Sequence, residues 1–276
     1  MLRRSYSFSI LVGLSSLVLA CGHVEPATAE SGGLDSVPKI GAQHNTLLQR
    51  NLPRIEAQLE DGQRLTEQEA YHYMVEVPYE EVQSMPEYAE TPLSVEGITR
   101  MLDDTRDAYY SGEVALPVEE PAVIRNELVG SLDEMRVSYE MPQVYTDIAT
   151  RILDLAASSD ASDADIDQYV ESVLNDPAIE EDAKGYAMLI SDVAKSSRTY
   201  WAESWRNDPD SRKQLLLPPW AWGDIIGAGA GALSSLWSQR NNAKKDWAEV
   251  GGQALIWGAS GSLCARLCSG VVKAAH

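Results

Sequence analysis

The chain has 276 residues, 44% of them hydrophobic, and a formal net charge of −20. That length and apolar content are enough for one good-sized packed domain or two small ones, and they exclude wholesale disorder. The acidity is concentrated in residues 21–210, with 13 basic against 39 acidic side chains; such a surface repels phosphate backbones and anionic lipid, which excludes nucleic acid as a partner.

The N-terminus reads as an address. Arg3 and Arg4 form a positive segment, Phe8 to Ala20 is an apolar run broken only by Ser and Gly, and Ala20 precedes Cys21. The run is too short for a spanning helix of about 20 residues and fits a secretory signal peptide over residues 1–20. Val18, Leu19, Ala20 and Cys21 resemble the lipobox of bacterial lipoproteins. The resemblance implies that Cys21 is acylated and becomes the first mature residue. Gly22, in place of Asp, implies delivery to the outer membrane if the host has one. An ordinary signal peptide cut near Ala20 is the alternative. Residues 21–40 then read as a polar, flexible tether.

From residue 41 to 210 the pattern predicts an acidic helical domain without strand alternation. "NTLLQRNLPRIEAQL" has helical spacing, with Pro53 expected to kink or end it. Thr91 and Pro92 signal a further helix start, and "YEEVQSMPEYAETP" before it reads as a connecting loop. Val144, Ile148, Ile152 and Leu155 recur at steps of three and four. Ser162 or Asp163 would cap the next helix. Asp176 would cap the longest one, with Pro177 at its first position. "ILDLAASS" (152–159) and "ISDVAKSS" (190–197) match at five of eight positions, as two helices ending alike would.

In "GAQHNTLL", His44 and Asn45 form a possible functional motif, and the simpler reading makes Asn45 or Thr46 a helix N-cap. Gly41-x-x-His44-Asn45, then Tyr200, Trp201 and Trp205, then the Asp224-x-x-Gly opening of a glycine-rich tail are similar to a diffuse set of uncharacterised bacterial secreted or lipid-anchored proteins. That resemblance implies a class and no particular activity. Other chemistry is poorly signalled. "DADIDQYVE" has the alternating carboxylates of a calcium loop, but Gln168 replaces the required Gly and Leu174 the bidentate Glu. The four histidines include no helical i,i+3 or i,i+4 pair. No metal, no cofactor and no catalytic residue is expected.

Residues 211–276 form the tail. Gly223, Gly227, Gly231 and Ser235 recur every four residues along one helix face. Ala254, Gly258, Gly261, Ser262 and Ala265 line one face of a second helix, beyond the polar turn "SQRNNAKKD". Asp224 would cap the first of them. Bare faces of this kind trade about 1 kcal/mol of helix propensity per Gly for close backbone packing. The expected fold is therefore mostly α, an irregular helical bundle ending in a glycine-zipper hairpin that packs on the body or self-associates. The first apolar segment rises about 20 Å against about 30 Å of hydrocarbon, which disfavours a full span. Such hairpins also resemble pore-forming bacteriocin tails. "GAGAGA" fits a dinucleotide fingerprint, but without a preceding core strand. Cys264 and Cys268, four apart, allow a disulfide or two small buried thiols.

The functional expectation is a non-enzymatic, lipid-anchored exported protein with a structural or interaction role. The expected partners are a membrane, through the anchor, and a second copy of the chain; no other protein partner is named. Membrane activity of the hairpin is the first alternative. A hydrolase using His44 and a carboxylate is the second.

Overall fold

The computed structural model describes residues 33–60, 66–96, 99, 121–206 and 219–274. These residues are mostly helical and contain no strand. A 3-10 turn at Leu34–Ser36 leads into α1, Gly41–Glu60. Then come α2 (Glu67–Tyr71), a π-helical turn (His72–Glu76), α3 (Val77–Gln83) and α4 (Pro121–Ser138). They are followed by α5 (Val144–Ala157), α6 (Asp163–Asn175), α7 (Glu181–Arg206), α8 (Pro219–Ser238) and α9 (Trp247–Ala274). Cys21, expected to carry the anchor, and the expected tether up to residue 32 lie outside the described residues, as does most of the helix expected after Pro92. So do the side chains of Trp205, Cys264, Ala265 and Cys268.

The outer helices are amphipathic, as their sequences require. In α5, Ile148, Ile152 and Leu155 are buried while Asp147, Arg151 and Asp154 are not. Threonine caps α2 through a box: Glu69 N–H donates to Thr66 Oγ1, and Thr66 N–H donates to Glu69 Oε2. The α8–α9 pair is different. Gly251 to Ser260 is an unbroken buried run, and α8 is buried over almost its whole circumference from Ala221 to Leu236. A helix that is apolar on every side needs neighbours on every side. Here α8 is flanked by α7, α4, α5 and α9, and α9 also meets α1 and α3. The glycine-rich tail and the acidic body share one hydrophobic core.

The rows of small residues explain how α8 and α9 come so close. A Cβ on Gly227 would stand 2.5 Å from the Trp257 carbonyl oxygen. One on Gly231 would stand 2.8 Å from the Gln253 carbonyl carbon, and one on Gly261 2.6 Å from the Gly223 oxygen. Each step of four along α8 is answered by a step of four back along α9, the register of antiparallel helices. Ser235 and Ala254 are buried and Gly258 faces the Asp224 carbonyl. Ser262 is buried as well. Gln253 and Trp257 stand on this seam although both are large; the atoms they bring nearest to Gly227 and Gly231 are backbone atoms and the Trp257 Cβ. The turn between the helices is closed by side chains. Lys245 Nζ donates to the carbonyls of Gln239 and Asn242, and Asp246 Oδ1 accepts from the amides of Ala248 and Glu249, capping α9.

Several local expectations are corrected. Pro53 lies inside α1 without ending it. It sits on the exposed face, and so does Gln49, whose carbonyl loses its i+4 donor on the side of the helix open to solvent. Asp176 does not start α7. It ends α6 in an extended conformation, its Oδ1 accepts from Ala178 N–H, and α7 begins at Glu181. "ISDVAKSS" lies in the middle of α7, so the repeat is not two alike helix ends. Residues 79–83, read as loop, belong to α3. Asp224 is no cap, since α8 already begins at Pro219.

Candidate functional site

The strongest convergence of chemically capable side chains lies where α1, α7, α8 and α9 meet. Gly41 lets α1 reach α7: a Cβ there would overlap Ser196 Oγ and the Asp192 carbonyl. Asp192 Oδ2 accepts from Gly41 N–H at 2.7 Å and satisfies an otherwise unpaired amide at the start of α1. The helix therefore starts at Gly41, and neither Asn45 nor Thr46 caps it. Asn45 instead donates from Nδ2 to the Ser196 carbonyl, 2.9 Å away on α7. That bond fixes the amide, so its Oδ1 faces His44 Nδ1 at 3.5 Å.

His44 points into the core. It and Asp224 are both fully buried, with Nε2 3.4 Å from Oδ1. This is an ion-pair separation without the alignment of a hydrogen bond, and among the described residues neither atom has a hydrogen-bond partner. The other carboxylate oxygen, Oδ2, accepts from the Trp201 indole N–H at 2.8 Å. A Cβ at Gly258 would touch the His44 ring at 3.3 Å, so glycine there makes room for the imidazole.

Burial by itself pushes His44 toward the neutral ring. The field and contact of Asp224 outweigh it, with help from Asn45 Oδ1 and the Gly258 backbone, and raise the His44 pKa above the ordinary value. Geometry gives the same answer. Both ring nitrogens face oxygen acceptors, and a neutral imidazole carries only one N–H.

The sequence set His44, Asn45, Tyr200, Trp201 and Asp224 side by side in one scattered resemblance, without a contact between them. The fold joins His44, Asn45, Trp201 and Asp224, and adds Ser196. By its local sequence Asp224 was read as a helix start. As for what the arrangement can do chemically, His44 and Asp224 have the pairing of a general base and its orienting carboxylate. Neither has exposed surface in this conformation, so a solvent-borne substrate does not touch them.

A second polar feature is a groove of about 530 Å³ between α4 and α5, lined by Gly130, Asp133, Thr146, Asp147, Arg151 and Asp154. Two of its acids are neutralised. Arg125 holds Asp154 with two bonds of 2.5 and 2.7 Å, and Arg136 Nε donates to Asp133 at 2.7 Å. The arginine draws the Asp133 carboxyl below its usual range. Among the described residues, no three His, Cys, Asp or Glu side chains are grouped to hold a metal.

Comparisons with protein-family models, with curated proteins and with solved structures return no match.

Proposed function

We propose that the protein is exported and held at a membrane by acyl chains on Cys21, with its helical body serving a structural or interaction role. The observation that supports the non-catalytic part is the complete burial of His44 and Asp224. The groups best suited to chemistry join helices and do not line an open site. The lipobox-like Val18-Leu19-Ala20-Cys21 supports the anchor. In the native host, the wild-type protein will enter the detergent phase on Triton partitioning, and intact-mass analysis will find an acylated N-terminus. Cys21→Ser will move to the aqueous phase or retain its leader. Wild type and variant partitioning alike into water would overturn the anchor.

A second reading gives the C-terminal hairpin a membrane activity. One observation favours it: α8 from Ala221 to Leu236 and α9 from Gly251 to Ser260, buried almost throughout, are enclosed by other helices of the bundle. Against it, no described helix is long and apolar enough to cross a membrane. The structural role predicts that dye-loaded vesicles stay sealed over a wide range of concentrations of the whole protein. Leakage that saturates with protein would replace it with the second reading.

A further inference from the structure

The hairpin is seated in the bundle by a salt link whose two partners lie on opposite sides of the joint. Asp224 belongs to α8. His44 belongs to α1, and the indole of Trp201 on α7 holds the far oxygen of the same carboxylate. We propose that His44 and Asp224 form a proton-dependent latch that seats the α8–α9 hairpin against α1 and α7. This does not rest on the lipid anchor or on the role proposed for the body.

The surroundings leave the proton little choice of place. On α1, the fixed Asn45 oxygen faces Nδ1. On α8, the Asp224 carboxylate faces Nε2. From α9, the Gly258 backbone lies against the ring. On α7, the Asp192 carboxylate is engaged one turn earlier by the Gly41 amide. On α3, Glu81 pairs with Arg50, whose side chain is exposed. Asp224 is thus the counter-charge at the ring, and the imidazolium is the counter-charge of Asp224. Removing the proton leaves a buried carboxylate with one indole N–H and an imidazole nitrogen whose lone pair faces oxygen. Such a group is costly in the core.

The direction of the pH dependence follows. The folded chain holds this proton more tightly than the unfolded chain, where the ordinary histidine value is about 6.5. The stabilisation is fully present below that value and is lost as pH rises from it to the higher folded value. Within that window the opening constant of the hairpin rises about tenfold per pH unit for one proton. Tyr88, Tyr145 and Tyr186 are all pushed further up by burial, so they stay neutral in the same range.

Hydrogen exchange of the purified protein between pH 6 and 9 tests this, with rates divided by their intrinsic values. Protection of amides in residues 221–263 will be flat below about pH 6.5 and then fall about tenfold per unit. The double variant His44→Gln/Asp224→Asn will lose that slope. Should it fail to fold, nitrogen-15 spectra of wild-type imidazoles decide. The His44 ring will carry protons on both nitrogens at pH 7 and release one over the range in which protection declines. A single neutral tautomer at pH 7, or wild-type protection that stays flat to pH 9, overturns the latch.

Discussion

His44→Leu is expected to destabilise the fold by about 3–5 kcal/mol at pH 7, the usual effect of removing one partner from a buried charge pair. It leaves the Asp224 carboxylate fully buried, with the Trp201 indole as its remaining hydrogen bond. Urea denaturation followed by circular dichroism measures it, provided the slope of the transition is unchanged. Asp224→Asn will cost less, about 1–3 kcal/mol, because the imidazole can shed its charge and the new amide still accepts from Trp201. In the double variant the two losses will fall short of additivity, as expected for residues in contact. Strict additivity would mean that the pair, despite its 3.4 Å separation, does not interact.

How this site could be read from the chain shows where sequence reasoning ends. The helical period alone specified α5, since Ile148, Ile152 and Leu155 share the face that α5 buries. The four-residue spacing of Gly223, Gly227 and Gly231 placed them on one face, and that face meets α9. Both are local patterns, with the cause and the effect within a few turns. The His44–Asp224 contact joins residues 180 positions apart, and nothing near either one announces the other. Asp224 stood where a helix start was plausible, so its burial was invisible. Gly41 had no signal for its role either. Its missing side chain matters only because Ser196 and Asp192 of α7 arrive there. The same blindness affected Pro53. Whether proline ends a helix depends on whether the carbonyl it strands can reach water, which is a property of the fold.

The seam between α8 and α9 can be tested by the sign of a single methyl group. Gly→Ala inside a helix ordinarily stabilises by about 0.5–1 kcal/mol through propensity. Gly130 in α4 has nothing within 4 Å of its would-be Cβ, so Gly130→Ala will show that gain in full. At Gly227 and Gly231 the added carbon meets the α9 backbone, which cannot rotate away as a side chain can. There overpacking of about 1–3 kcal/mol outweighs propensity, and both variants will be less stable than wild type. Gly223→Ala falls between these cases, because its nearest backbone atoms would stand at 3.1 Å. Thermal or urea unfolding of the four variants gives the order. Propensity acts alike at all four positions, so it cannot generate opposite signs; only contact with α9 can. If all four alanines stabilise the fold equally, α8 does not approach α9 closely enough for its glycines to be required.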